Sequence, residues 1–383
     1  MSFEEDIAKL NEHFFFQEFT FSKNQFSPKP GEEVELADSL IWLDDIAVVF
    51  QLKERNLSDN PTADGERKWF DKKVVGVATK QIRDTLKYLN TSHQIKLENH
   101  RGHQYCLNPS NIGTIHKVVC YATAFELPDE CSRRKYHKSS TADVIHLFSA
   151  GDYLGIVQTL LTPSELSEYL RFREELFNKW GRECESVPEQ ALVGHYLCGD
   201  IDSAPSMRFV SALESLSTRA DEWDMSGIIK NFPDRITTDN QPTDYYLIVA
   251  EIAKLKRNEL RHFKMRFQLA MEKCRNDEFV LPYRIASPTT GCAFLFIPLE
   301  SEFIEQRQQG LTNLTVACKY DLKTDKCVGV SFAPEDGGWY AVEWCYLEFP
   351  WEEDLEIDRR LEKSNPFRPV TTEIIDRYDY DGS

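Results

Sequence analysis

Three residues whose side chains bind metal ions and phosphate groups lie in one strongly apolar stretch. Asp38, Gln51 and Lys53 belong to the segment VELADSLIWLDDIAVVFQLKER, which spans residues 34–55. A carboxylate is a hard oxygen ligand suited to Mg²⁺, and a glutamine carbonyl oxygen can serve as a second, uncharged ligand. A lysine ammonium beside such an ion stabilises charge that develops on a phosphate, or positions an attacking water. These residue types suit metal-assisted chemistry on a phosphate group.

A predicted β-hairpin brings the three residues together. Asp44-Asp45 is the only turn-like break in the apolar run, so we expect antiparallel pairing between residues whose numbers sum to about 89. Asp38 then lies opposite Gln51, with Cβ atoms about 4.5–5.5 Å apart, and Lys53 shares the face of Gln51. The two aspartates of the turn lie roughly 20 Å from Gln51 along the strand, too far to share an ion with it.

A helix is predicted after this hairpin, over residues 66–90. Its apolar residues recur at three- and four-residue spacing: Phe70, Val74, Val77, Ala78, Ile82, Leu86 and Leu89. Strands are predicted at 93–107, 114–125 and 144–149. Residues 53–87 hold nine basic and six acidic side chains, which indicates either a solvated helix face or a nucleic-acid contact through Lys72, Lys73 and Lys80.

The order of these features resembles the PD-(D/E)xK nuclease superfamily over residues 1–150. An aspartate, about a dozen residues and then Gln-x-Lys at the end of an apolar strand are similar to its Mrr-like variant, in which glutamine replaces the usual acidic residue. The resemblance implies a restriction-endonuclease-like α/β fold, with a central mixed sheet flanked by helices. It implies that Asp38, Gln51 and Lys53 form the active-site set. It further implies that Glu35 joins Asp38 and Gln51 as a metal ligand, and that Gln81 is the additional polar residue on the helix.

The activity implied by this resemblance is hydrolysis of DNA phosphodiester bonds by an endonuclease that uses Mg²⁺, or Mn²⁺ in its place. The biological role it implies is restriction-like or anti-phage defence. Two alternatives remain open. One is a catalytically silent nuclease fold that acts as an interaction or regulatory module, and the other is a nuclease directed at RNA.

The same residues also allow purely structural explanations. Asp38, Gln51 and Lys53 could form a cross-strand salt bridge on a solvent face, Gln81 could be an exposed glutamine, and Glu35 could be a surface carboxylate. The neighbouring residues on both strands are strongly apolar, however, and a polar cluster among apolar residues is costly unless it has a use. The hairpin sequence therefore favours a functional site.

The charge of the chain is unevenly distributed. The 383 residues carry a formal net charge of −18, whereas nucleic-acid-binding surfaces are usually basic. Residues 1–138 have a net charge of only −2, and the remaining residues have −16. The charge therefore does not exclude DNA as a partner of the N-terminal third. The acidic C-terminal two-thirds predict a protein partner or a homo-oligomer.

The rest of the chain predicts a helical segment at 151–235, an α+β domain at 236–350 and an acidic tail at 351–383. One long helix is predicted at 245–275, in which Lys256, Arg257 and Arg261 either line a nucleic-acid channel or pair with acidic groups. A second set has the residue types of a zinc site: His93, His100, His103 and Cys106. This set lies on predicted strands that point its members in mixed directions, whereas a closed zinc site needs four convergent ligands.

Membrane insertion and disulfide bonding are not expected. No apolar run approaches the ~18–20 residues that a membrane-spanning helix requires. The ten cysteines include no CxxC pair and are typical of reduced thiols in the cytoplasm.

Overall fold

The structure is a computed structural model that describes residues 2–22, 25–29, 31–56, 61–232, 236, 241–335 and 339–369. The chain divides into two compact units, residues 1–218 and 219–383. The sequence suggested divisions at 150, 235 and 350. In the structure the helices that directly follow residue 150 belong to the first unit.

The first unit contains both strands and helices. Its strands are β1 (Thr20–Ser22), β2 (Gln25–Lys29), β3 (Glu32–Glu35), β4 (Ser39–Leu43), β5 (Ile46–Glu54), β6 (Ile95–Glu98), β7 (Gln104–Leu107), β8 (Thr114–Ala122), β9 (Tyr136–Ser139) and β10 (Asp143–Ser149). Its helices are α1 (Phe3–Phe14), α2 (Ala63–Trp69), a π-helix (Phe70–Val77), α3 (Ala78–Thr91), α4 (Asp129–Ser132), α5 (Ala150–Thr159), α6 (Pro163–Trp180), α7 (Glu189–Cys198) and α8 (Arg208–Ser217). Short 3₁₀ turns occur at Pro109–Asn111 and Gly181–Ser186.

A mixed sheet forms the centre of this unit. Within the described residues, six strands are ordered β1-β4-β5-β8-β10-β9. Strands β5, β8 and β10 run parallel to one another, while β1, β4 and β9 are antiparallel to their neighbours. The predicted α/β class, a mixed sheet flanked by helices, is confirmed at this level.

Helices cover both faces of the sheet because its central strands are apolar on both sides. On one face, Phe50 and Phe148 contact Tyr153 of α5 at ring-centroid distances of 5.5 and 6.2 Å. On the other face, the π-helix and α3 pack against β8 and β10, with Phe70 edge-on to Tyr121 at 5.4 Å. Gln51 and Lys53 lie two and four positions after Val49 in β5, so their side chains point to the same face of the sheet as Val49 does. Val49 packs in the cluster that includes Leu89 of α3.

The helix predicted at 66–90 is confirmed and runs from Ala63 to Thr91. Thr62 caps its N-terminus by accepting a hydrogen bond from the Gly65 amide. Its middle, Phe70–Val77, is π-helical, which the apolar periodicity did not indicate. π-Helical segments are rare in proteins, and those that occur are often found at functional sites. The Lys73 side chain of this segment lines a cleft together with residues at the end of β5.

A buried charged network lies between α6, α7 and strands β9 and β10. Arg173 is fully buried and binds both carboxylate oxygens of Glu189, at 2.8 and 3.1 Å. Lys135 and the Tyr169 hydroxyl also bind Glu189, and Arg173 Nη1 donates to Nδ1 of His146 at 3.0 Å. Burial lowers the pKa of His146 well below its usual value, so a neutral ring can accept this bond.

The second unit contains a separate four-stranded sheet, ordered β11-β12-β13-β14. Its strands are β11 (Tyr283–Ala286), β12 (Cys292–Pro298), β13 (Lys326–Glu335) and β14 (Trp339–Glu348). Its helices are α9 (Ser226–Ile229), α10 (Tyr246–Ala253), α11 (Arg257–Arg275), α12 (Arg307–Asp321) and α13 (Leu355–Lys363), with 3₁₀ turns at Ala220–Glu222 and Ser301–Gln306. Aromatic side chains of α11 pack against the sheet, where Phe263 lies 5.0 Å from Phe296.

The single long helix predicted at 245–275 is wrong. The structure has two helices, α10 and α11, because Lys256 adopts an extended conformation with φ −77° and ψ 164°. Its amide donates to the Glu259 carboxylate at 2.8 Å, which starts the new helix. The buried side chain of Leu255 fixes the connection between them.

The acidic C-terminal segment contains more structure than its composition indicated. Residues 355–363 form α13, and Phe367 is buried beneath Arg284, whose guanidinium lies 4.5 Å from the ring centroid. Residues 370–383 of the predicted tail lie outside the described residues. No helix in the described part of the chain combines the length and apolarity needed to span a bilayer.

Candidate active site

The β4–β5 hairpin has the predicted register. Ser39 pairs with Phe50 and Leu43 with Ile46, so the residue numbers sum to 89 and Asp44-Asp45 forms the turn. Asp44 has φ 49°, a left-handed conformation that aspartate tolerates better than most residues. Asp38 directly precedes β4, at the end of the hairpin that carries Gln51 and Lys53. A slip of one residue would have sent its side chain to the opposite face.

Asp38, Gln51 and Lys53 meet in one hydrogen-bonded group. Lys53 Nζ lies 3.1 Å from Asp38 Oδ2 and 3.3 Å from Gln51 Oε1, and it also donates to the Leu52 carbonyl at 2.8 Å. Asp38 Oδ2 additionally accepts the Leu52 amide at 2.6 Å. The ammonium therefore has three acceptors and a defined position.

This group is largely withdrawn from solvent. The side chains of Lys53 and Asp38 are 12% and 10% exposed, and Gln51 is buried. Charges in such surroundings interact more strongly than exposed charges do, because less water screens them. An ammonium held in this way can act on a bound anion without first being reoriented.

Glu35, at the end of β3, is electrostatically coupled to this group. Its pKa is raised first by partial burial of the carboxyl group and then by the negative charges of Asp38 and Glu4, while Lys53 opposes the rise. The residue itself lies at the surface. The charge of Asp38 thus acts on the Glu35 carboxyl group, and a cation bound between two such groups would relieve their repulsion.

These donors fit a hard cation that keeps most of its water ligands. Within the described residues, the hydrogen bonds to the Asp38 carboxylate go to Oδ2 and none goes to Oδ1. Gln51 offers an amide oxygen as a further ligand. No group of three His, Cys, Asp or Glu side chains converges in the described residues, so a cage made of protein ligands alone is not present there. Mg²⁺ commonly binds through one or two carboxylates and retains several waters.

The side chain of Gln81 in α3 holds a buried polar atom, the amide oxygen Oε1. Its Oε1 atom makes no hydrogen bond to any residue the structure describes. Thr85, one turn later on the same helix face, donates from Oγ1 to the Leu36 carbonyl at 2.5 Å. Leu36 is two residues before Asp38, so this face of α3 is attached to the segment that carries the candidate aspartate.

Substituting Gln81 by methionine is expected to raise the free energy of unfolding by about 1–2 kcal/mol, because an unsatisfied buried polar atom is replaced by an apolar group of similar size. Chemical denaturation of the full chain measures this change. Thr85→Val is the matched control on the same face and is expected to destabilise by about 1–2 kcal/mol, since it leaves the Leu36 carbonyl unpaired. A loss of stability in Gln81→Met would show that Oε1 is satisfied in solution.

A cleft of about 270 Å³ opens at the end of β5 beside this group. Its lining comprises Leu52, Lys53, Glu54, Arg55, Asn56, Trp69 and Lys73. Arg55, Trp69 and the buried Glu66 were not among the predicted site residues. The alternation 51, 53, 55, continued one residue past the end of β5, could have identified Arg55, because every second residue of an extended chain shares one face.

The predicted nucleic-acid contacts have different surroundings. Lys73 lines the cleft, whereas Lys72 and Lys80 are exposed elsewhere on the helix. In the second unit, Arg257 is buried with its guanidinium 5.0 Å from the Trp223 ring centroid, and Arg261 pairs with Glu222 at 2.9 Å. Lys256 contributes the amide that starts α11. Arg257 therefore packs against an aromatic neighbour, and Arg261 pairs with an acidic one.

The histidine and cysteine set that has zinc-site residue types does not converge in the structure. Within the described residues, no three potential ligands lie together. His100 instead contacts Glu12 of α1 and lies 2.6 Å from Ser22 Oγ.

Comparison with protein-family models, with curated proteins and with solved structures found no match to this chain. The resemblance to the nuclease superfamily rests on the hairpin residues and on the order of the elements.

Proposed function

We propose that the first unit is a metal-dependent phosphodiesterase that cleaves DNA with a restriction-endonuclease-like domain. The observation that carries this proposal is the position of the Lys53 ammonium, which is fixed by Asp38 and Gln51 and faces a cleft with further cationic side chains. A site for a hard cation next to a positively charged surface suits phosphate esters as substrates, because both features bind phosphate oxygens.

Each residue has a defined task in this proposal. Asp38 and Gln51, with Glu35 beside them, would hold Mg²⁺ or Mn²⁺, and the ion supplies charge neutralisation and an activated water. Lys53 would place its positive charge beside the phosphoryl oxygens, where negative charge increases during phosphodiester hydrolysis. Asp38 in turn keeps the ammonium in place through its ion pair.

One feature favours a second candidate, a catalytically silent interaction module. Gln51 contributes no charge to the site, and Lys53 forms an ion pair with the only carboxylate of the hairpin group. A site with less negative charge binds divalent cations more weakly. The two candidates differ in whether the purified chain cleaves nucleic acid at all.

Plasmid cleavage by the full chain, with Mg²⁺ or Mn²⁺, is the deciding experiment. Asp38→Asn is expected to lower the cleavage rate by about 10²–10³-fold, since it removes the charge that binds the cation and orients Lys53. Asp44→Asn is the matched control, because it makes the same change at the far end of the same hairpin. It is expected to leave the rate within about twofold.

Three outcomes separate the candidates. Equal cleavage by Asp38→Asn and the unmodified chain would refute this site. Absence of cleavage of both DNA and RNA by the unmodified chain, alone and with candidate partners, would support the silent module. Cleavage of labelled RNA in preference to DNA would redirect the proposal to an RNA-directed nuclease that uses the same residues.

A further inference from the structure

Two cationic side chains in the cleft beside Lys53 have donors that the described residues do not use. Arg55 binds Glu66 through Nε and Nη2, and its Nη1 atom donates to none of the described residues. Lys73 lines the same cleft and forms no ion pair within the described part of the chain. Among the described residues that line the cleft, the one acidic side chain is that of Glu54, against the cationic side chains of Lys53, Arg55 and Lys73.

The guanidinium of Arg55 is held in place before any ligand arrives. Glu66 is almost fully buried, with its side chain 2% exposed, and it binds Arg55 at 3.1 Å. Trp69, one turn after Glu66 on α2, lies with its ring centroid 5.9 Å from the guanidinium carbon. A planar guanidinium fixed along one edge presents its other edge to a ligand at little cost in conformational entropy.

Lys73 reaches the cleft from the π-helix. Glu66, Trp69 and Lys73 follow one another at three- and four-residue intervals, so they share one helix face. This face is directed toward the end of β5, where the Arg55 amide donates to the Ala122 carbonyl at 2.9 Å. The helix and the strand therefore supply one cationic group each to the same cleft.

We propose that Arg55 and Lys73 form a second phosphate subsite, which binds the backbone phosphate next to the one that Lys53 faces. Lys53 lies in β5 and Arg55 directly follows the strand, so the two residues are about 6.6 Å apart along an extended chain. Each can therefore serve a different phosphate of one nucleic-acid strand. Free guanidinium and ammonium donors are the groups that bind phosphate oxygens most strongly. The identity of the substrate as a nucleic acid rests on the proposed function.

Binding without cleavage tests this subsite. The full chain is titrated with a short fluorescein-labelled DNA duplex, and separately with a single strand, in EDTA and at several salt concentrations. Arg55→Gln and Lys73→Gln are each expected to raise Kd by about 5–10-fold and to reduce the slope of log K against log salt by about 1. Lys87→Gln, an equal loss of charge on the exposed side of α3, is expected to change Kd by less than twofold.

The outcomes for the subsite and for the nuclease are separable. Binding by Lys73→Gln with unchanged Kd and salt slope would overturn the subsite even if DNA is cleaved, and so would equal effects of Lys73→Gln and Lys87→Gln. Lys73 is exposed, so this variant remains informative if Arg55→Gln fails to fold around the unpaired Glu66. If Arg55→Gln and Lys73→Gln both weaken DNA binding but the unmodified chain cleaves no nucleic acid, the result would support the subsite and refute the nuclease. A chain that binds neither duplex nor single strand would overturn the subsite.

Discussion

Replacing Lys53 by methionine is expected to lower the rate of DNA cleavage by at least about 10²–10³-fold. Methionine preserves the length and most of the packing of the side chain but removes the ammonium that Asp38 and Gln51 position. Negative charge that develops on the phosphoryl group then loses a preorganised positive charge, in a site from which water is largely withdrawn. Single-turnover cleavage at saturating enzyme measures the chemical step directly.

The pattern among Lys53 variants distinguishes chemistry from folding. Lys53→Arg keeps the positive charge but not the compact geometry of an ammonium, so it is expected to recover little of the rate. DNA binding in EDTA is expected to fall by less than the cleavage rate does, since Arg55 and Lys73 remain. Thermal unfolding is expected to show the first unit still folded. Cleavage by Lys53→Met within about threefold of the unmodified rate would contradict the assignment of this lysine.

Glu189→Gln is expected to lower the free energy of unfolding by about 3–5 kcal/mol, the largest stability change that we predict. Arg173 is fully buried between the rings of Phe148 and Phe177, at 4.2 and 4.6 Å from their centroids. Without the carboxylate, its buried charge loses its counter-ion. For a unit of this size the expected fall in Tm is about 6–20 °C.

Acid titration checks the same carboxylate. Burial alone would raise the pKa of Glu189, but the charges of Arg173 and Lys135, together with hydrogen bonds from Arg173 and Tyr169, outweigh it and lower the pKa to about 2. The folded-state pKa lies below the ordinary value of 4.5. Glu189 therefore contributes its full stability above that value and loses it as the pH falls toward 2. The stability difference between the unmodified chain and Glu189→Gln should shrink over this range.

A double substitution is the control for this network. Replacing Arg173 and Glu189 together by methionine removes the buried guanidinium along with its carboxylate and leaves Lys135 as the remaining charge of the network. Apolar replacement of a buried ion pair is often close to neutral. The double variant is therefore expected to be more stable than Glu189→Gln. Equal destabilisation by the two would mean that packing, rather than the unpaired charge, accounts for the loss.

Local sequence determined the hairpin that carries the candidate site. The two-residue turn at Asp44-Asp45 and the apolar residues on either side fix the register, because a slip by one residue would exchange the buried and exposed faces of β4 and β5. The contact between Asp38, Gln51 and Lys53 follows from that register and the two-residue period of a strand. The helix at 63–91 was equally accessible, since its apolar residues repeat at helical spacing.

Only the tertiary structure decided what surrounds the hairpin. Strand β8 pairs with β5, and β10 pairs with β8, both in parallel. Long stretches of chain separate these strands in the sequence, and no local pattern specifies such pairing. The cleft depends on Glu66 and Lys73 of the following helix lying beside Arg55, which directly follows β5. It also depends on the π-helical segment, which the apolar repeat does not reveal.

Buried charge shows the same division. In the sequence, Lys135 directly follows two arginines, and Arg173 and Glu189 both lie in the predicted helical segment at 151–235. Charged residues of these types are usually solvated. In the fold they meet in one network with Tyr169 and His146. The sequence by itself determined residue types, periodicities and the short-range register of β4 and β5. The structure decided which distant charges become partners, because desolvation and pairing depend on contacts between segments far apart in the chain.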